Sequence, residues 1–273
     1  GALRDNGAGS VAPGVSAGLG GALFSTEGSA TRLDGVEIAE NRAGDGGGIA
    51  ARGSVEVQRG VFRRNRAERG GGAAVLGGPF SAARSTWHEN EARVAGGGLY
   101  VAENAVAHLA TSTIADNTSF GEGGGIAGDG EVGLVGCTVF ENWARPGGDG
   151  GGLSIGETGA ARARASVVAG SRSGGDCRVR GELRTSDRNL DSDGSCPQFV
   201  TARDPLGLFH DLKNYGGDTP THLPREDSPV LDARIGACDG PDQRGLARGE
   251  DGDRDGAPGC DLGAVELRRA DRP

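Results

Sequence analysis

The chain has no methionine, one lysine against 28 arginines, and only 4% aromatic residues. No stretch approaches the ~18 consecutive apolar residues of a membrane-spanning helix. Nor does the amino terminus carry the charged-then-apolar pattern of a signal segment. Methionine is missing even at position 1, which is expected of a mature or trimmed product. So few aromatics suit a narrow interior better than a broad globular core. The arginine excess reads as the mark of a GC-rich genome and not as a binding surface. A net charge of −9 opposes a general nucleic-acid role, because phosphate binding needs a basic face. The basic patch RRNRAER at 63–69 reads as solvated turns. Missing too are a Ser-His-Asp order, a phosphate loop and a zinc spacing.

What the chain has in excess is glycine, 54 residues of 273, without the G-X-Y register of collagen. The excess is periodic. Asparagines recur at Asn41, Asn65, Asn90, Asn117 and Asn142, at intervals of 24, 25, 27 and 25, with glycine runs at 46–48, 70–72, 96–98, 123–125 and 150–152. A repeat near 25 residues points to a solenoid.

Alignment on the asparagines shows what each repeat buries. Ten positions before stand Thr31, Val55, Phe80, Ala107 and Val132, and eight before stand Leu33, Val57, Ala82, Leu109 and Leu134. Three before come Ile38, Phe62, Trp87, Ile114 and Val139. A column of small residues, Val36, Gly60, Ser85, Ser112 and Cys137, lies five before. Immediately before comes a charged column, Glu40, Arg64, Glu89, Asp116 and Glu141, which must face water. Spacings of two indicate strands, and the glycine clusters would break any useful helix.

These features predict an all-β chain folded as a right-handed parallel β-helix, with an irregular, disulfide-bearing C-terminal cap. One coil cannot bury its own apolar face, but stacked coils can. At roughly 4.8 Å per coil, six coils make a rod about 30 Å long. Residues 1–171 form the repeats, and 172–273 form a capping region that continues the solenoid as irregular coils and closes its end. Asn6 is the candidate first member of the asparagine series, and the 35-residue gap to Asn41 implies an insertion of about ten residues. The sixth coil runs from Trp143 to Ser171, where Ser171 replaces asparagine. The five asparagines read as an internal ladder, each amide bonded to backbone and to the next asparagine. A cap is required because the last coil would otherwise expose a strand edge.

From residue 172 the repeat fades and a different set of motifs appears. GGDC at 174–177, NLDSDGSC at 189–196, DPLGLFHDLKNYGGDTPTHLP at 204–224, SPVLDA at 228–233, DQRGLAR at 242–248 and CDLGAVE at 260–266 occur in that order. This region resembles the choice-of-anchor Q domain of bacterial secreted and cell-surface β-helix proteins. The GGGI and F-x-x-N repeats upstream are similar to those of polymorphic outer-membrane proteins and pectate-lyase-like solenoids. The resemblance implies an extracellular or cell-surface location. The chain departs from the pattern after CDLGAVE, where only LRRADRP follows, with no anchor helix or sorting motif.

Four cysteines, Cys177, Cys196, Cys238 and Cys260, lie in this loop-rich tail, an even set that suggests disulfides in an oxidising compartment. Three pairings are possible, and the motif order favours Cys177 with Cys196 and Cys238 with Cys260. Cys137 reads as a buried free thiol. In EDGDRDG, Asp251, Asp253 and Asp255 followed by Gly256 match the opening of a calcium loop. The twelfth position, normally glutamate, is Leu262, so weak calcium binding competes with a plain acidic loop. No other cofactor is implied.

Enzymes on this fold act in an outer groove where carboxylates, a base or a metal converge. The stacked acidic rows are Glu89, Asp116 and Glu141, and Asp45, Glu122 and Asp149. Neither has a convergent base, so no catalytic residue is assigned. His88 and His108 read as surface histidines, and His210 and His222 as structural residues of the tail. The first expectation is therefore a non-catalytic extracellular β-helix, an adhesive, scaffold or surface-layer element with a glycan or cell-surface ligand. The rivals are a polysaccharide lyase or glycoside hydrolase, by analogy of fold, and a homo-oligomeric or filament subunit.

Overall fold

The computed structural model describes residues 1–6, 18–202, 211–235 and 237–271. Its strands, two to five residues long, form four sheets of nine, seven, seven and four strands among the described residues, and consecutive coils pair in parallel. The chain is a parallel β-solenoid of about seven turns. Sheet I runs from Ala2–Arg4 through Glu37–Ala39, Val61–Arg63, Thr86–His88, Thr113–Ala115 and Thr138–Phe140 to Val167–Ala169. It continues through Leu190–Asp191 to Val200–Thr201.

The apolar columns of the sequence stack in register. Phe62, Trp87, Ile114 and Val139 pair in sequence along sheet I, all fully buried. The rings of Phe62 and Trp87 lie parallel, with centroids 4.7 Å apart, at the separation that sheet pairing imposes. Val55, Phe80, Ala107 and Val132 pair likewise in a second sheet. Each large side chain contributes roughly 1.5–3 kcal/mol on burial, and each depends on the coil above and below.

The glycine triplets turn a corner. Gly46, Gly70, Gly96, Gly123 and Gly150 have φ between +62° and +68°, where a side chain is strained. The second glycine is excluded by space: a Cβ on Gly71 would lie 2.4 Å from the carbonyl oxygen of Gly97. The charged residues before the asparagines also take left-handed backbone, with φ of 53–63°.

Two internal ladders brace the corners on either side of sheet I. Asn65 donates both its backbone N–H and its Nδ2 to Asn90 Oδ1, at 3.1 and 2.9 Å, and Nδ2 also reaches the carbonyl of Ile38. The same pattern joins Asn41 to Asn65, Asn90 to Asn117, and Asn117 to Asn142. Asn6 opens it by donating to Asn41, whereas the insertion expected after Asn6 falls on residues 7–17, outside the described residues. The small column is a second ladder that the sequence reading missed. The hydroxyl oxygens of Ser85, Ser112 and Ser166 accept the backbone N–H of Gly60, Ser85 and Cys137. Cys137 is buried and unpaired in a disulfide, and burial pushes its thiol up to about 11.

The solenoid continues past Ser171, where Cys177–Val179, Glu182–Ser186, Leu190–Asp191 and Val200–Thr201 extend its sheets. The asparagine ladder is replaced there by Asp176, whose carboxylate accepts the N–H groups of Ser171 and Ser192, while Asn189 Oδ1 closes the serine ladder at Ser166. Residues 196–199 then cross the last coil. Cys196 joins the central core, Phe199 packs against it, and Gln198 bonds to Leu183 and Thr185.

Residues 211–235 and 237–271, expected at the end of the rod, lie instead along the outer face of sheet I. There they form a second core: Leu223, Val230, Leu231, Leu262 and Val265 pack against Phe140, Val167 and Ala169. The reason is an outward row of threonines. Gln243 Nε2 donates to Thr86 and Thr219, its Oε1 accepts from Thr113, and Thr138 accepts the N–H of Ala264. A face carrying a hydroxyl on three successive coils, at Thr86, Thr113 and Thr138, offers the tail matched partners.

Candidate functional site

Where the tail stops covering sheet I, a cleft of about 710 Å³ remains. Its floor is the outer face of the early coils, with Val36, Glu37, Val61, Arg63 and His88, and its wall is the tail at Asp218 and Pro220. Parallel pairing brings Glu37 beside Val61, and Arg63 beside His88. Residues distant in sequence thus line one groove.

The charges in the cleft are already engaged. Arg63 Nε donates to Glu37 and its Nη1 to Glu40, at 3.1 Å, and Arg4 also donates to Glu37. Burial alone would raise the Glu37 carboxyl, but the bonds from Arg63 and Arg4 outweigh it and hold it below the usual range. Arg59 grips Asp34 through two hydrogen bonds of 2.9 and 2.8 Å and stands 3.6 Å from Asp218. Burial pushes His88 down, against the opposing pull of Glu89, so its imidazole is neutral at neutral pH. The groove therefore offers apolar floor, one neutral ring and neutralised ions.

The acidic rows singled out in the sequence are likewise paired with arginine. Arg64 holds Glu89; Arg172 reaches Asp116 at 2.7 Å and Glu141 at 3.7 Å. Asp45, Glu122 and Asp149 are held by Arg69, Arg180 and Arg178, at 2.8, 2.8 and 2.6 Å. These pairs join different coils, so they brace the rod.

The expected calcium loop is only partly assembled. Asp251 and Asp253 come together with Asp232, of the SPVLDA motif, with one oxygen of each within 4.8 Å of the others. Asp255 is not in this group; its carboxylate accepts the N–H of Ala257. Asp232 already accepts from Gly252, Asp253 and Gly259, and Asp251 Oδ1 is buried without a partner. Three carboxylates suit a hard cation, but Asp232 carried no spacing signal that could have revealed it.

The cysteines pair as Cys177–Cys196 and Cys238–Cys260. His108 is exposed on the second sheet. His222 sits edge-on to Phe140, with ring centroids 5.0 Å apart, and His210 lies outside the described residues. In the tail, Arg244 forms a fully buried pair with Asp242 at 2.9 Å, and Asp261 and Glu266 are buried side by side. Burial and the neighbouring Glu266 push Asp261 up to about 8. Both carboxylates accept backbone N–H groups, from Asp232 and Leu267 and from Gly249, Glu250 and Asp261, a structural duty.

Comparison of the chain with protein-family models, curated proteins and solved structures returns no match. No helix of the described residues is long and apolar enough to cross a membrane.

Proposed function

We propose that the chain is a non-catalytic extracellular β-helix, an adhesive or scaffold element that presents a rigid outer surface and binds its ligand in the cleft beside the tail. The observation that carries this reading is the state of Glu37. A carboxylate held by two arginines is stabilised in its ionised form and is a poor proton donor, so the groove is better suited to binding than to proton transfer. Ion pairs between coils and the clamped tail support a scaffold role. Two disulfides are compatible with an extracellular location, and the ordered tail motifs support kinship with choice-of-anchor Q proteins of bacteria.

A carbohydrate-active enzyme is the second reading, favoured by the neutral imidazole of His88 in the same outer groove as Glu37. Incubation with a panel of acidic and neutral polysaccharides decides between them. Unsaturated products or new reducing ends, with or without calcium, would establish the enzyme. Specific retention on glycan or cell-surface arrays without turnover supports the adhesive.

A further inference from the structure

We propose that the cleft receives an extended polypeptide segment of a partner protein, lying along the solenoid axis in line with the chain's own residues 219–222. This deepens the adhesive reading and rests on it. The tail demonstrates what the outer face of sheet I accepts. Thr219 Oγ1 donates to the carbonyl of Arg84 at 3.0 Å, Thr86 Oγ1 donates to the carbonyl of Pro220, and the hydroxyls of Thr113 and Thr221 lie 2.9 Å apart. His222 then meets Phe140. Thr86, Thr113 and Phe140 stand on three successive coils, so this segment crosses the strands and runs along the axis.

The track ends abruptly at Asp218. Asn214 Oδ1 accepts the N–H groups of Gly216 and Gly217, and Lys213 pairs antiparallel with Thr221, so the chain doubles back. The same sheet face continues beyond, through the coils of Val61 and Glu37, as the floor of the cleft. Its corner repeats the geometry used by the tail. Arg59 and Arg84 share a φ of 53°. The carbonyl of Arg84 is taken by Thr219, and that of Ala165 by the N–H of Gly263, whereas the carbonyl of Arg59 accepts no hydrogen bond among the described residues.

An incoming segment would donate to that carbonyl and rest a small apolar side chain on Val36, Val61 and Pro220. A glycan fits less well, because it needs many free polar partners and the ions here are already paired. For the same reason binding should respond little to salt.

The test selects short random peptides on the immobilised full chain, then titrates synthetic copies by fluorescence anisotropy beside a panel of neutral and acidic oligosaccharides. Selected peptides are expected to bind saturably and to weaken about tenfold or more in Val61→Lys and in Pro220→Asp, which remove the apolar contact. Val135→Lys, at an exposed position of another sheet, should leave affinity unchanged. Circular dichroism checks each variant, and His88→Ala replaces any that misfolds. Failure to select a peptide, peptides indifferent to the cleft substitutions, or an oligosaccharide lost on those same substitutions would each overturn the proposal. Turnover of an oligosaccharide would instead overturn the non-catalytic reading beneath it.

Discussion

The solenoid and the tail are stabilised in opposite ways. In the solenoid the same few contacts recur on coil after coil, so each turn is held by its neighbours through apolar columns and amide ladders. In the tail nearly every contact is unique, and many are buried ions: Arg244 with Asp242, Arg248 beside Glu266, Asp261 next to Glu266. A repetitive interior spreads a loss over several turns. An ionic interior concentrates it at single residues.

The sharpest way to break this contrast is Arg244→Ala. It leaves Asp242 buried and unpaired, at a cost of about 3–5 kcal/mol. Limited proteolysis should then cut within residues 211–271 while far-ultraviolet circular dichroism keeps the β signal of the rod. Simultaneous loss of both would make the tail and solenoid one cooperative unit.

Asn117→Ala comes next, because it removes the acceptor for two donors of Asn90 and the donor to Asn142. Each stranded buried group costs about 1–3 kcal/mol. The loss should appear in the main unfolding transition; a variant that lowered only the tail's resistance to protease would contradict the division.

Asp261 supplies a graded effect. Its folded carboxyl titrates near 8, above the unfolded value of about 4, so the folded tail holds a proton that the unfolded chain releases. The stability that this one group contributes is then fully present below about pH 4, falls as pH rises, and is lost above about pH 8. Proteolysis of the tail should quicken from pH 6 to pH 9, and Asp261→Asn should flatten that dependence. Calcium gives the smallest change. We expect a rise of a few degrees in the tail's melting temperature at millimolar calcium, abolished by Asp232→Asn and unaffected by Asp255→Asn.

Legibility in the sequence follows the same division. The stacking of Phe62 on Trp87 and the asparagine ladder could be read directly, because repetition every 25 residues or so turns one contact into a visible column. The serine ladder shared that repetition but was disguised as mere smallness, since Gly60 and Cys137 interrupt the hydroxyls. The joining of Asp232 to Asp251 and Asp253, and of Asp218 to the cleft, had no such signal. These residues meet through loops whose course no periodicity records.

By itself, then, the order of residues determined that the chain winds into a parallel solenoid, which side chains enter it, and where its corners turn. Nearest-neighbour stacking depends only on composition repeated at a fixed interval. The tertiary structure alone decided that the tail lies along the flank and not wholly at the end, because that choice depends on a threonine row meeting one glutamine more than a hundred residues away. It also decided where the cleft opens, since a groove exists only where two distant segments stop short of each other.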